Sequence, residues 1–252
     1  MFQIPQLSKH KGLFHVFSEK SDGNMANSIS GVIYNFDQVL KNRKKFLEKV
    51  GVDSNKTVCM WVTHGDEIID ADPKTAGVSM RDYSKAIKVD GLMTNRKGLY
   101  LFLLIADCFL PIIIYDPVAE AVGLIHAGWR GVDLEIAKKG VEMFKSKYKS
   151  GVENIIVAIG PCAQKESFVK ENPEHVDDPR WRDFIVLDIA KLYKIDLVGF
   201  TKKQLLDAGI KKENIIDCGI DTVKDKRFFS HVRDCNNNIS RQGRFACVVG
   251  LK

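Results

Sequence analysis

Residues 99–131, LYLFLLIADCFLPIIIYDPVAEAVGLIHAGWRG, constrain the fold more than any other stretch. They hold three apolar runs, 99–106, 111–115 and 121–126, each short and rich in Ile, Leu, Val and aromatic residues. Runs of this length bounded by turn residues read as strands buried on both faces rather than as surface helices. The polar residues stand at the junctions. Asp107 and Cys108 follow the first run, Asp116-Pro117 marks a turn, and His126 closes the third run before Ala127-Gly128-Trp129-Arg130-Gly131 opens a helix. An acid, a thiol, an imidazole and a guanidinium thus gather at strand exits, where a rigid scaffold can hold reactive groups near solvent.

The flanking sequence extends the same pattern. Strands are predicted over 12–18, 28–35, 57–63, 89–94, 154–159, 184–187, 215–218 and 245–251. Helices are predicted over 37–50, 132–148 and from Asp188 to a stop at Gly209. Residues 66–88 read as a long polar connection of the kind that borders an active site. A β-β-β-α-β order followed by β-α-β demands a mixed sheet with helical crossovers, and no linker divides the chain. In the 37–50 helix Arg43 falls in the middle of the apolar stripe, which suits either a structural ion pair or an anion site.

The chain has 252 residues and a formal net charge of +6, with its basic residues dispersed and no stripe of aromatic and basic side chains. That balance suits small anions such as phosphate and argues against nucleic acid. No apolar run approaches the ~20 residues needed to span a bilayer. The N-terminus lacks the apolar core of a signal peptide. Six cysteines without a C-x-x-C pair indicate reduced thiols and a cytoplasmic location.

Three chemistries remain open from the residues alone. His64, Cys108 and His126 make a sensible three-ligand set for zinc with one position left for water or substrate, against the plainer reading of a core thiol and two unrelated histidines. Cys108 and His126 also suit a thiolate–imidazolium pair, with Asp107 as proton shuttle or as a simple strand-end cap. Gly128-Trp129-Arg130-Gly131 places Arg130 at a helix start, a setting for phosphate.

The blocks A-D-C-x-x-P-I and G-L-I-H-A-G-W-R-G resemble the YfiH-type family, whose members carry the labels laccase-domain protein and polyphenol oxidase, and also purine nucleoside phosphorylase with adenosine deaminase activity. Val62-Thr63-His64-Gly65, Asp90-Gly91-Leu92-Met93-Thr94, Ile159-Gly160-Pro161-Cys162, Phe228-Phe229-Ser230 with Arg233-Asp234, Gly243-Arg244 and Asn42-Arg43 match further motifs in order. The resemblance spans nearly the whole chain. It implies an α+β fold in residues 1–252, a single domain of stacked mixed β-sheets flanked by helices in α/β/β/α layers, with a topology related to cysteine hydrolase toxins. It also implies a zinc ion on His64, Cys108 and His126, with copper as the alternative metal. Catalytic roles fall on Cys108, Asp107 and His126, and phosphate or nucleoside binding on Arg43 and Arg130.

The expected activity is zinc-dependent phosphorolysis of purine nucleosides, with adenosine deaminase and methylthioadenosine phosphorylase activity. Purine nucleosides and phosphate are the expected partners, and neither nucleic acid nor a membrane is. Three competing readings are a copper-dependent, laccase-like polyphenol oxidase, a Cys–His amide hydrolase editing cell-wall precursors, and a non-catalytic binding protein. Six histidines without an H-x-H or H-C-H pair weigh against a multicopper site. The chain departs from the family pattern at Lys20, at the longer Cys108-Phe109-Leu110-Pro111 segment, at His231-Val232 and at Gln242. The substrate-facing shell is therefore altered while the metal triad is kept.

Overall fold

In a computed structural model all residues are described except Ser30, Gly31, Tyr34, Asp107, Cys108, Ile189 and 235–241. The apolar runs form the centres of two sheets. Tyr100–Ile105 lies in a five-stranded sheet with the order Leu13–Phe17, Phe245–Leu251, Tyr100–Ile105, Thr57–Trp61 and Ile87–Lys88. Phe109–Asp116 and Ala121–Gly128 lie in a six-stranded sheet with the order Ile215–Asp217, Ile156–Ile159, Phe109–Asp116, Ala121–Gly128, Gly91–Thr94 and Ile68–Asp70. Both sheets are mixed: Thr57 pairs in parallel with Tyr100, whereas Phe245 pairs antiparallel with Ile105.

The two sheets stack face to face. Leu101, Leu103 and Ile105 meet Ile113, Val122 and Leu124 in one apolar layer. The alternate residue Phe102 points the other way, into a layer with Phe46 and Leu47 of the helix Phe36–Lys49. On the far side Ile112, Ile114 and Ile125 pack against Ile136, Val141 and Phe144 of the helix Ile136–Tyr148 and against Phe200 and Leu205 of Leu197–Asp207. The result is helix, sheet, sheet, helices. Every residue of Phe109–Asp116 and Ala121–Gly128 is buried because both faces of that sheet are covered.

Several expectations need correction. The predicted 132–148 helix is two: Trp129–Asp133 and Ile136–Tyr148, separated where Glu135 adopts φ 59°. The helix expected from Asp188 begins instead at Leu197, capped by Asp196, whose side chain accepts from Gly199 N. The strand Tyr193–Ile195 occupies the gap, paired with Ile185–Leu187 and Val169–Lys170 in a small third sheet. The first long helix is capped by Asn35, whose side chain accepts from Gln38 N. The long 66–88 connection contains the strand Ile68–Asp70, which pairs in parallel with Gly91–Thr94. Among the described residues no helix is long and apolar enough to cross a membrane.

A candidate active site where the chain crosses between sheets

At residues 89–90 the chain leaves the five-stranded sheet, whose edge is Ile87–Lys88, and enters the six-stranded one at Gly91. Asp90 sits at that crossing, fully buried. Its carboxylate accepts from His126 Nδ1 at 2.8 Å, from the backbone N–H of His64 at 2.9 Å and of Gly65 at 2.8 Å, and from the Thr63 hydroxyl. Its carbonyl accepts from His126 N at 2.7 Å. Burial works to raise the Asp90 pKa, but the hydrogen bonds from His126, Thr63 and Gly65 outweigh it and hold the carboxyl well below the usual range. A buried anion ringed by donors from two strand exits fixes both exits relative to each other.

His126 is fully buried near the end of Ala121–Gly128. Burial lowers its pKa against the opposing pull of Asp90, which favours a neutral ring protonated on Nδ1. Its Nε2 is buried and has no hydrogen-bond partner among the described residues. An orphaned imidazole nitrogen is costly unless something binds it. The His64 ring lies 5.0 Å away, edge-on, and is exposed. His64 itself adopts φ 59°, a conformation uncommon for a side chain with Cβ and held by the Asp90 contact to its N–H. A Cβ on Gly128 would stand 3.2 Å from His126 Cε1 and 3.7 Å from His64 Nδ1, so the glycine keeps the space between the two imidazoles clear. Gly131 likewise lets the short helix approach Gly65 O, which a Cβ there would meet at 3.1 Å.

The His64 imidazole borders a cleft of about 590 Å³, lined also by Phe109, Gly128, Trp129 and Arg130 and by Phe168, Lys170 and His231. Its charged and titratable side chains are Arg130, Lys170, His64 and His231, and no acidic residue lines it among the described residues. Trp129 and Phe168 supply flat apolar walls, and Phe109 packs 4.0 Å from the His126 ring. The arrangement suits a flat, partly apolar ligand together with an anion.

The structure puts His64 and Arg130 in the lining of one cleft, with His126 buried 5.0 Å from the His64 ring. Asp107 and Cys108 lie outside the described residues. Arg43 does not line the cleft. It is buried under its own helix, where Nε donates to the Met25 carbonyl at 2.8 Å and the guanidinium lies 5.7 Å from the Phe102 ring. Its partners include the Met25 carbonyl and the side-chain oxygen of Asn27.

Two features escaped the sequence. The first is the role of Asp90, which heads a matched motif but is one acid among 32 and gains its function only from the crossing. The second is a cluster of Asp133, His175 and Asp178, whose donor atoms lie within 4.8 Å of one another and can hold a metal. Arg180 already binds both carboxylates, at 2.8 Å and 2.7 Å, and Trp181 Nε1 donates to Asp133 at 3.0 Å. The cluster also braces the stack of Trp129 on Trp181 behind the cleft wall.

Comparison with known proteins agrees with this architecture. The chain is 31% identical over 222 residues to the purine nucleoside phosphorylase YlmD of Bacillus subtilis strain 168, covering 85% of this chain and 77% of that one. It is 30% identical over 254 residues to the YlmD protein of Geobacillus stearothermophilus, covering 96% and 89%. The crystal structure of the latter superposes with TM-score 0.86 over 96% of this chain and 93% of that one, at 27% identity. The Bacillus licheniformis hypothetical protein YfiH gives TM-score 0.85 over 98% and 94%, also at 27% identity. Residues 19–252 match the family model described as multi-copper polyphenol oxidoreductase laccase. With that match and these relatives, the chain belongs to the laccase-domain family that includes the YfiH and YlmD proteins.

Proposed function

We propose that this chain is a metal-dependent purine nucleoside phosphorylase formed by a single YfiH-type domain over residues 1–252. The observation that carries the reading is the orphaned Nε2 of His126, fixed by Asp90 and facing a second imidazole beside a cleft free of described acids. The names of the two YlmD relatives support the substrate class.

The donor set fits a metal. A ligating histidine commonly gives its other N–H to a carboxylate, as His126 gives Nδ1–H to Asp90. His64 and His126 would hold the ion together with Cys108, which precedes Phe109 in sequence, and two imidazoles with a thiolate favour zinc, with copper the competitor. Bound there, the ion would supply Lewis-acid polarisation. The remaining work belongs to side chains. Arg130 pairs with phosphate, Trp129 and Phe168 hold the base, and the buried Asp90 keeps His126 in one tautomer and orientation. Adenosine deamination and methylthioadenosine phosphorolysis in the same cleft are part of this reading, with Asp107 moving the proton in the deaminase reaction.

The test is metal analysis of purified protein followed by base-release assays on inosine, adenosine and methylthioadenosine with and without phosphate. We expect close to one zinc per chain and phosphate-dependent release of base. Absence of base release from all three substrates by zinc-loaded protein overturns the assignment. Oxidation of a phenol by copper-loaded protein under the same conditions favours the oxidase instead.

A further inference from the structure

We infer that the Thr63 hydroxyl is a positioning group for the metal site: it pins one oxygen of Asp90 so that the other keeps the His126 ring aimed at the ion. The inference rests on the metal reading above. The two carboxylate oxygens of Asp90 divide the work. Oδ1 accepts from His126 Nδ1 at 2.8 Å and from His64 N–H at 2.9 Å, so it serves both imidazole-bearing residues. Oδ2 serves neither. It accepts from Gly65 N–H at 2.8 Å, from Thr63 N–H at a long 3.3 Å, and from the Thr63 hydroxyl, the one side-chain donor on that oxygen among the described residues.

The second oxygen matters because of how a carboxylate turns. The terminal torsion of an aspartate is broad and roughly two-fold, so donors on one oxygen alone leave the group free to swing. A swing carries Oδ1 off the His126 ring N–H, and the ring then loses the partner that sets its orientation. Thr63 resists that motion in two ways. Its β-branched side chain is stiff at χ1, and a hydrogen bond to an ionised oxygen is stronger than one between neutral groups.

The placement of Thr63 separates this role from packing. The residue is exposed, yet its hydroxyl reaches a fully buried carboxylate. It stands two residues past the end of Thr57–Trp61 in the five-stranded sheet, whereas the imidazole it steadies lies on Ala121–Gly128 in the six-stranded sheet. The brace therefore runs across the two layers, from Thr63 through Asp90 to His126, and ends at the orphaned Nε2.

The experiment measures zinc affinity, by competition with a chelator, for wild type, Thr63→Val and Thr63→Ser, and for Thr63→Val combined with Asp90→Asn. Valine keeps the shape and removes the hydroxyl, and serine keeps the hydroxyl. We expect Thr63→Val to weaken zinc binding about three- to tenfold, a fraction of the about 10- to 100-fold that follows loss of a ligand's direct partner, and Thr63→Ser to bind within about twofold of wild type. Because the hydroxyl acts through Asp90, Thr63→Val adds no further loss in the Asp90→Asn background. Wild-type affinity in Thr63→Val, an equal loss in Thr63→Ser, or the same loss with and without Asp90→Asn overturns the proposal. If wild type binds no zinc, the metal reading has failed by itself, and the His126 ring N–H, followed by NMR in metal-free protein, decides the role of Thr63. Faster exchange of that proton with water in Thr63→Val than in wild type and Thr63→Ser supports it, and one common rate overturns it.

Discussion

Asp90 carries more of the site than any other single side chain. One carboxylate receives hydrogen bonds from His126, Thr63, His64 and Gly65, so it ties two strand exits together and selects the His126 tautomer at once. Asp90→Asn replaces one acceptor oxygen with a donor inside that ring. We expect metal affinity to fall about 10- to 100-fold, read by competition with a chelator, while circular dichroism stays native. Gly128→Ala tests the space between the imidazoles. Its Cβ would press on His126 at 3.2 Å, so activity and metal content should drop far more than thermal stability. The sequence exposed part of this arrangement. His64 and His126 were legible because each ends a recognisable apolar strand. Asp90 was matched as part of a family motif but given no role, because a lone acid before a short strand looks like any strand-end cap. Arg43 was legible as a charge set in an apolar stripe, but its hydrogen bond to the Met25 carbonyl was not.

At the scale of elements, the apolar strands were readable, the short Ile185–Leu187 and Ile215–Asp217 among them, and two other short strands were not. Tyr193–Ile195 and Ile68–Asp70 have three residues each, too few for periodicity to register. The break at Glu135 was invisible because the apolar spacing of 132–148 continues across it, and only the φ of 59° there reveals the change of direction. The N-terminal segment makes a separate prediction. His15 on Leu13–Phe17 is buried, and its Nε2 accepts from Ile4 N–H at 2.9 Å. Burial, partly offset by that hydrogen bond, takes its pKa from 6.5 to about 4. The folded chain therefore keeps His15 neutral where the unfolded chain binds a proton. Stability from this group is complete above the unfolded value and is lost as pH falls from 6.5 toward 4, by about 3 kcal/mol. Urea unfolding across that range measures the slope, and His15→Gln, which keeps an acceptor without titrating, should flatten it.

For the whole molecule, the two proposed imidazole ligands come from different sheets, so a bound ion fastens the layers together. Removing it with a chelator should lower Tm, and restoring metal at 100 times Kd should recover about 2.7 kcal/mol. Thiol labelling gives a second check. Cys59 and Cys247 are fully buried, and burial pushes Cys59 up to about 11 and Cys247 well above the ordinary value, so neither should react with iodoacetamide in native protein. Labelling at Cys108 that appears only after chelation is the expected result. The stacked layers were legible through the family resemblance, whereas the residues alone gave buried strands in a mixed sheet with helical crossovers. The far wall of the cleft was not, because it comes from a small sheet outside those layers. That placement has a consequence for how such proteins diversify. The residues that line the cleft from this side, Phe168 to Lys170, adjoin a patch whose strands, among the described residues, pair only with one another. Exchanges at the exposed Val169 and Lys170 can change the lining of the cleft while the packed interior goes undisturbed, so new preferences can arise from a few surface changes.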